Sequence, residues 1–299
     1  MSILGQESAV AEVVISDDAS TDGTVELIQK LASEHPRGSI VRFAARDRAG
    51  GVARNFARAI SECRHEFIAL SDHDDVWLPH KITRLLDAIA GSTLAFSDAF
   101  VIDEDGARTG RTLFGSYAVT DEELGAIEGG DALRVLDRRN IVTGATVLVR
   151  RDFAQRTMPA GTSWVHDEWL AYLAAATDTV AVVREPLMEY RVHAANQIGV
   201  PDKSAPAAFV HGLRAGSARH KMHRNRTLAL LRTLTALGAP EHALESAYSR
   251  LAFDNARLRF PAAPWGRYPH IAAQRRAGSY ERFTSDPLTE AWRDGLQRP

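Results

Sequence analysis

The sequence lacks several features that would direct it to particular classes of protein. Cys63 is the only cysteine among 299 residues, so an intrachain disulfide and a thiolate zinc site are both excluded. No apolar run approaches the roughly 20 residues needed to cross a bilayer. The first residues, Met1 to Gly5, show neither a basic nor an apolar signal-peptide region. We therefore expect a cytoplasmic protein that meets a membrane only from its surface.

The chain also lacks a strong charge of either sign. Its formal net charge is -2, and a protein that binds nucleic acid through bulk charge is usually more basic. The 45% hydrophobic and 25% charged residues are ordinary for a soluble globular protein. We therefore expect no nucleic-acid partner.

What the sequence does contain, in its first half, is an alternation of short apolar runs and helical patterns. Such alternation predicts a doubly wound α/β fold with a mostly parallel sheet. The predicted strands are 13–15, 40–43, 67–70 and 93–102, and the predicted helices are 24–34, 50–60 and 81–90. Ligands bind beyond the carboxyl ends of the strands in such sheets. Two of these strands end in clustered aspartates.

The strongest cluster is the run from Asp72 to Asp75. A diphosphate leaving group needs its negative charge neutralised, and Mg²⁺ or Mn²⁺ bound by carboxylates does this well. The alternative interpretation is a solvated acidic turn before the next helix.

The earlier strand ends in Ser16-Asp17-Asp18. Either aspartate is suited to accept a hydrogen bond from a base N–H, whereas the residues that follow, Ser20 to Asp22, are typical of a helix N-cap. Further along, the glycines before Arg54 permit close approach of a phosphate to a helix N-terminus, although a plain turn explains them equally well.

Two later segments add titratable side chains. Asp167 lies between Trp164 and Trp169 at the start of a predicted helix, where a carboxylate is suited to act as a general base or simply as an N-cap. Strand alternation places Arg191 and His193 on one face, where they are suited to bind diphosphate or metal. A single histidine of this kind is more often an ordinary surface or core residue.

Together these segments resemble family 2 glycosyltransferases of the GT-A fold, from about Ser2 to Gly199. The aspartate run with the following Val76-Trp77 is close to the Asp-Gln-Asp-Asp-x-Trp form of rhamnosyltransferase-like members, with His73 in place of Gln. The other matching segments are Val14–Thr24, Ala53–Asn55, Gly144–Val147, His166–Trp169 and Tyr190–Asn196.

The resemblance implies a GT-A, Rossmann-like, doubly wound mixed sheet in residues 1–200 and a helical C-terminal extension in residues 201–299. It implies an inverting transferase that moves a sugar from a nucleotide-diphosphate donor to a saccharide or lipid-linked acceptor in surface polysaccharide synthesis, with Mg²⁺ or Mn²⁺ as cofactor. The donor-binding residues would be Asp17, Asp18, Arg54, Asp72, Asp75, Arg191 and His193; the metal ligands Asp74, Asp72 and His193; and the catalytic base Asp167.

One departure from the family concerns the N-terminus. The family opens with a strand, a loop and a helix before the base-binding strand, and Ser2 to Gln6 resembles only the end of that helix. A missing central strand would leave unpaired backbone groups on its neighbours. We therefore expect an upstream extension, and we expect this polypeptide alone to be unstable or inactive.

Two rival functions and one open question remain. An aspartyl-phosphate-forming phosphatase would also use an Asp-x-Asp loop, but it needs a later lysine, and only Lys203 and Lys221 follow Lys81. A chain without its first strand would alternatively be a non-catalytic remnant.

The arginine-rich tail from Pro201 to Pro299 predicts either a packed helical subdomain or a basic surface that contacts anionic lipid. Residues 117–130 are predicted to form a loop.

Overall fold

A computed structural model describes residues 1–44, 50–161, 163–193 and 205–297, and for residues 205–217 only the helical backbone. The predicted domain boundary at residue 201 and the motif residues Ala194 to Asn196 lie outside these ranges.

Eight strands form two separate sheets in the described residues. They are β1 Val13–Ser16, β2 Val41–Ala44, β3 Phe67–Ala69, β4 Val76–Trp77, β5 Leu94–Ile102, β6 Arg108–Thr112, β7 Leu148–Arg150 and β8 Val180–Arg191. Strands β1 and β2 pair in parallel and form the small sheet. The large sheet has the order β3-β7-β5-β8-β4, with β6 added to β5.

The large sheet is mixed, as the GT-A resemblance implied, and the expectation of mostly parallel pairing is wrong for it. Only the pair β5–β8 is parallel among its described pairs. Strands β3 and β5 are both antiparallel to β7, which lies between them. The reversed strand β7 therefore separates β3 from β5 and β8, which share one direction, and alternation along the sequence carries no sign of this insertion.

Thirteen α-helices accompany the strands in the described part of the chain. They are α1 Thr24–Glu34, α2 Val52–Glu62, α3 Lys81–Ala88, α4 Leu113–Ser116, α5 Asp121–Glu128, α6 Ala132–Arg138, α7 Arg151–Thr157, α8 His166–Thr177, α9 Ala205–Leu237, α10 Glu241–Leu258, α11 Pro264–Arg276, α12 Ser279–Phe283 and α13 Pro287–Leu296. No helix in the described residues is both long and apolar enough to cross a membrane.

The segment 117–130 is helical and not the predicted loop. Helix α5 begins with a capping box, in which the Thr120 side chain accepts from the Glu123 N–H and Glu123 bonds back to the Thr120 N–H. Its Leu124 and Ile127 are buried in the main core. The acidic composition of the segment belongs to the first turn of a helix, where carboxylates stabilise the N-terminus.

The segment 143–149 is not one continuous strand. It begins with a 3₁₀ turn, Gly144–Thr146, and only Leu148–Arg150 pairs as β7. The backbone N–H of Gly144 donates to the Asp167 side chain of α8 and is therefore not available for pairing with a neighbouring strand. This turn places Gly144 in the wall of the site described below.

The C-terminal helices share the core of the α/β part. Leu230 and Leu234 of α9 and Ala247 of α10 belong to the same buried cluster as Trp169 and Leu170 of α8. A buried hydrogen-bond network reinforces this contact, because Asp137 accepts from both Tyr172 and Ser246. The extension therefore packs on the α/β part through apolar and polar contacts.

A cavity of about 1330 Å³ separates the two sheets. Both β1 and β3 line it, together with apolar residues of α1, α2 and α3. In the described residues, β1 is paired only with β2, and β3 only with β7. Each of these strands thus has one edge without a strand partner among the described residues. We refer to this apolar space as the slot.

Candidate functional site

The polar end of the slot brings five of the predicted site residues together. These residues, which line the same cavity, are Asp72, Asp74, Asp75, Asp167 and His193. The aspartate run follows directly after β3, whereas Asp167 lies in the first turn of α8. The carboxyl end of a strand and the start of a helix therefore face each other across the cavity.

Asp74 and His193 form the closest pair in this site. The Nε2 atom of His193 lies 2.9 Å from Oδ2 of Asp74, and both side chains are partly exposed to the cavity. A carboxylate oxygen and an imidazole nitrogen this close together can bind the same cation or share a proton. The structure thus brings together two of the three predicted metal ligands.

Arg191 fixes the loop that carries Asp74. Its Nε donates to the carbonyl oxygen of Asp74 at 3.0 Å, and its backbone N–H donates to Oδ1 of Asp75 at 3.0 Å. Its Nη1 donates to the carbonyl oxygens of Asp103 and Glu104. In this structure the guanidinium therefore holds two loops together, and Arg191 is not among the residues that line the cavity.

Asp75 is buried beside a lysine that sequence reasoning did not select. Burial raises the pKa of Asp75 to about 7, against the Arg191 N–H bond that lowers it. Burial likewise lowers the pKa of Lys81 to about 7, against the charges of Asp75 and Asp72. The Lys81 ammonium donates to the carbonyl oxygen of Ala145 at 2.5 Å and lies 4.0 Å from the Trp77 ring centre. Lys81 therefore places a fully buried amine behind the aspartate run.

Asp167 is oriented by two backbone N–H groups. Gly144 donates to its Oδ2 at 2.8 Å, and Glu168 donates to its Oδ1 at 2.7 Å. Burial raises the pKa of Asp167, and these hydrogen bonds partly oppose the rise. A Cβ at Gly144 would lie 2.8 Å from Nε2 of His166 and 3.3 Å from the Asp167 Cβ. Glycine at position 144 therefore allows the turn to approach the carboxylate closely.

His166 is a second site residue that the sequence did not reveal. Its ring stacks on Phe56 with ring centres 3.8 Å apart, and neither ring nitrogen has a hydrogen-bond partner in the described structure. Burial lowers the pKa of His166 to about 4, although the charge of Asp72 favours the protonated form. The imidazole is therefore neutral at physiological pH and lines the cavity together with Asp72 and Asp167.

The pKa of Asp72 depends on its burial and on the charges of its neighbours in the site. Burial raises its pKa, His166 opposes the rise, and Asp74 and Asp167 add to it. Clustered carboxylates that repel one another in this way are stabilised when a cation or a proton joins them. In the described residues no group of three or more His, Cys, Asp or Glu side chains is close enough to hold a metal alone.

The remaining predicted donor residues lie outside the cavity wall. Asp17 accepts from the Ser20 N–H at 2.8 Å, which lowers its pKa. Asp18 accepts from the N–H groups of Gly50 and Gly51 at 2.7 and 2.9 Å. Both aspartates thus stabilise loops in this structure.

Arg54 is exposed on α2 and is likewise absent from the cavity wall. The residue of α2 that reaches β1 is Asn55. Its amide donates to the Ser16 carbonyl oxygen at 2.7 Å, and its Oδ1 accepts from the Ser16 hydroxyl at 2.6 Å. Ser16 and Asn55 both line the cavity, so the strand end and the helix are fixed together at its edge.

Comparison with known sequences agrees with this arrangement. The glycosyl transferase family 2 matches residues 1–155, which is more than half of the chain. The chain belongs to glycosyl transferase family 2. The match includes the aspartate run and the Gly144 turn, whereas Asp167, Arg191 and His193 lie beyond it.

Two bacterial proteins illustrate the similarity of this family 2 chain to known sequences. An uncharacterized protein of Mycobacterium tuberculosis is 32% identical over 189 residues, which is 61% of this chain and 50% of that protein. The chain thus matches about half the length of this relative. The dTDP-rhamnosyl transferase RfbG of Shigella flexneri is 24% identical over 240 residues, which is 78% of this chain and 79% of RfbG.

Solved structures identify the fold as GT-A. The S. aureus TarS fragment 1–349 in complex with UDP-GlcNAc aligns with a TM-score of 0.52 at 13% identity, over 99% of this chain and 86% of that fragment. At this identity the likeness shows the fold alone. It agrees with the mixed sheet and the surrounding helices described above.

Proposed function

We propose that this chain is an inverting glycosyltransferase that moves a sugar from a nucleotide-diphosphate donor to a saccharide or lipid-linked acceptor. The observation that carries the proposal is the convergence of Asp167 and the Asp74–His193 pair on one cavity. Asp167 is suited to accept a proton, and the Asp74–His193 pair is suited to hold a cation next to a diphosphate. Family membership supports the same reaction class.

In the proposed reaction Asp167 is the general base. Its carboxylate takes the proton of the acceptor hydroxyl while the hydroxyl oxygen bonds to the anomeric carbon. The bond from that carbon to the diphosphate oxygen breaks in the same step, and the configuration inverts. The N–H groups of Gly144 and Glu168 hold the carboxylate in one orientation, and burial favours proton uptake by raising its pKa.

The donor set fits a hard divalent cation. Asp74, Asp72 and His193 would hold Mg²⁺ or Mn²⁺, with phosphate oxygens of the donor completing the coordination, since such ions use few protein carboxylates in nucleotide sites. The structural observation that favours a cation here is the 2.9 Å approach of His193 Nε2 to Asp74 Oδ2 beside Asp72 in the same cavity wall. When bound, the ion neutralises the charge that develops on the leaving diphosphate.

The donor and the setting are the finer part of the proposal. The His-substituted rhamnosyltransferase-like run 72–77 and the similarity to RfbG favour dTDP-rhamnose over a UDP-sugar. We place the reaction in surface polysaccharide synthesis, on the cytoplasmic side of the membrane.

Residues 201–299 have two interpretations. The buried contacts of α9 and α10 support a packed helical extension, and a basic face that contacts the membrane stays part of the proposal.

Nucleotide binding tests the donor site. We expect dTDP with Mn²⁺ to raise the Tm of the chain more than UDP or GDP does, because a ligand that binds only the folded state stabilises it. Asp74→Ala should abolish the Mn²⁺-dependent part, whereas Asp105→Ala, at an exposed turn, should not change it. The same titration on a version with an added upstream strand tests whether the slot limits binding.

Catalysis is tested by acceptor-dependent release of the nucleotide. Asp167→Asn should lower this rate by about 10²- to 10⁴-fold while leaving the Mn²⁺-dependent Tm shift unchanged, since it removes a base and not a donor contact. Hydrolysis of simple phosphate esters at the Asp72–Asp75 run would favour the phosphatase instead. A folded chain that binds no nucleotide in either version would favour the non-catalytic remnant.

A further inference from the structure

A second cavity, of about 230 Å³, lies between the α/β part and the C-terminal helices. Its walls come from α6, the start of α8, and helices α9 and α10. Six arginines line it, against three carboxylates, Glu168, Asp254 and Glu290. The arginines are Arg138, Arg139, Arg219, Arg226, Arg250 and Arg257. We refer to this space as the arginine cavity.

Four of the six arginines have carboxylate partners. Arg226 pairs with Glu168 and Arg139 pairs with Glu123, each at 2.6 Å. Arg219 and Arg257 share Glu290 at 2.8 and 3.1 Å, and Arg293 also pairs with that glutamate. Arg257 has a second partner in the buried Asp294, which lies outside the cavity wall.

Other guanidinium N–H donors of this cavity face carbonyl oxygens or no acceptor at all. The guanidinium of Arg250 donates to the carbonyl oxygens of Asp137 and Phe283, at 3.0 and 3.4 Å. The Nε of Arg138 and the Nη1 of Arg219 are buried without a hydrogen-bond partner in the described structure. A buried donor without an acceptor is costly, so an anion that accepts from these groups would be stabilised in the cavity.

The state of His223 agrees with a positive potential. This residue also lines the cavity, and burial followed by the charges of Arg257, Arg219, Arg250 and Arg226 lowers its pKa to about 2. The imidazole is therefore neutral and adds no positive charge. It remains available as a hydrogen-bond partner.

The arginine cavity lies next to the proposed active site. Asn140 lines both cavities. At the start of α8, His166 and Asp167 face the slot, whereas Trp164 and Glu168 face the arginine cavity. A ligand that extended past Asn140 would therefore reach from the arginines towards the proposed base.

We propose that the arginine cavity binds a phosphate or diphosphate group of the acceptor and so positions the acceptor against Asp167. This inference rests on the proposed function. Guanidinium groups recognise phosphate through paired N–H donors, and the cavity is smaller than the roughly 300 Å³ typical of a whole small-molecule site. It therefore fits a charged group of a larger molecule and not the complete donor.

The test measures binding of inorganic pyrophosphate in EDTA, without nucleotide. The proposed donor site needs a divalent ion to hold a diphosphate, so EDTA removes its contribution. We expect saturable binding that Arg138→Gln weakens at least tenfold. Arg134→Gln is the matched control, since Arg134 lies one turn away on α6 with a half-exposed side chain, and it should change the affinity less than twofold.

A second variant controls for the possibility that Arg138→Gln weakens binding by misfolding. Arg250→Lys keeps the charge but loses the planar fork, so it should fold and still weaken pyrophosphate binding. Circular dichroism checks the fold of each variant. Absence of binding to the folded chain, or equal loss in Arg134→Gln and Arg138→Gln, would overturn the proposal.

Two further measurements identify the source of the phosphate and show which of the two proposed sites is wrong if one fails. Binding of diphosphate-lipid vesicles that free pyrophosphate displaces would identify a lipid-linked group, and binding of free pyrophosphate alone would identify a soluble phosphorylated acceptor. Metal-dependent nucleotide binding is measured separately. A chain that binds nucleotide but no pyrophosphate refutes only the arginine cavity, and the reverse result refutes only the proposed donor site.

Discussion

Helices α1 and α8 have nearly the same length and very different surroundings. Nine of the twelve residues of α8 are buried, whereas none of the eleven residues of α1 is. Leu170 in α8 is 0% exposed, and Leu27 in α1 is 56% exposed. Both helices have apolar residues at helical spacing, so the difference comes from what lies opposite them.

The strands show the same contrast. In the described residues β5 has nine residues and is paired with β7 on one side and β8 on the other, whereas the four residues of β1 are paired on one side only. All of β1 is half-buried, and nearly all of β5 is buried. The comparison teaches that an apolar pattern stabilises this fold only where a facing element completes the burial.

A matched pair of truncations measures this contrast most directly. Leu170→Ala should lower the free energy of unfolding by about 3–5 kcal/mol, because it leaves a cavity in a closed core. Leu27→Ala should change it by less than about 0.5 kcal/mol, because the side chain is already in water. Urea unfolding followed by circular dichroism measures both, and equal losses would show that α1 is packed in solution.

Lowering the pH should affect the stability of the buried region around α8 through the titration of His166. The pKa of His166 is about 6.5 when unfolded and about 4 when folded, so the unfolded chain binds the extra proton between these values. The contribution of His166 to stability should fall by roughly 3 kcal/mol as the pH drops from about 6.5 to 4 and then level off. Asp75, whose pKa burial raises to about 7, acts in the opposite direction over this range, so the effect is measured as the difference from a His166 variant.

The variant His166→Phe isolates that contribution. Phenylalanine keeps a ring against Phe56 but does not titrate, so the decline in stability between pH 6.5 and 4 should be shallower than in the parent chain. His223, whose pKa is also lowered, accounts for a remaining slope. An unchanged pH dependence would contradict the assignment to His166.

Helix caps provide the smallest expected difference. Thr120→Ala removes the capping box of α5 and should cost about 1 kcal/mol. In α1 the corresponding contact is from the Thr24 N–H to Asp22, at 3.2 Å and fully exposed. Asp22→Ala should therefore cost less than half as much in the same urea experiment, and a larger cost would show that α1 contributes more to stability than its exposure indicates.

Periodicity predicted much of the fold. Helix α1 has the predicted bounds, and β5 begins one residue after the predicted strand start. Periodicity does not reveal the irregular pairing of β8, a single strand with a register shift against β5 around Pro186. It failed at α5 because an acidic composition is typical of a loop as well as of the first turn of a helix.

The candidate site was predictable where charge clusters in the sequence. Asp72, Asp74, Asp75, Asp167 and His193 were all selected and all line the cavity. Lys81, His166 and Gly144 were not selected as site residues, because their importance depends on burial and on close approach between distant segments. Neither property leaves a local pattern in the sequence. The roles assigned to Asp17, Asp18, Arg54 and Arg191 remain predictions, because the structure places these residues in loop contacts or on the surface.

The open edges of β1 and β3 have a consequence for how the protein behaves in concentrated solution. Each edge presents backbone N–H and C=O groups beside an apolar surface, and such an edge is a template for pairing with a strand from another molecule. We therefore expect self-association to grow with protein concentration and to be only weakly sensitive to salt, because it depends on strand hydrogen bonds and apolar contact and not on net charge.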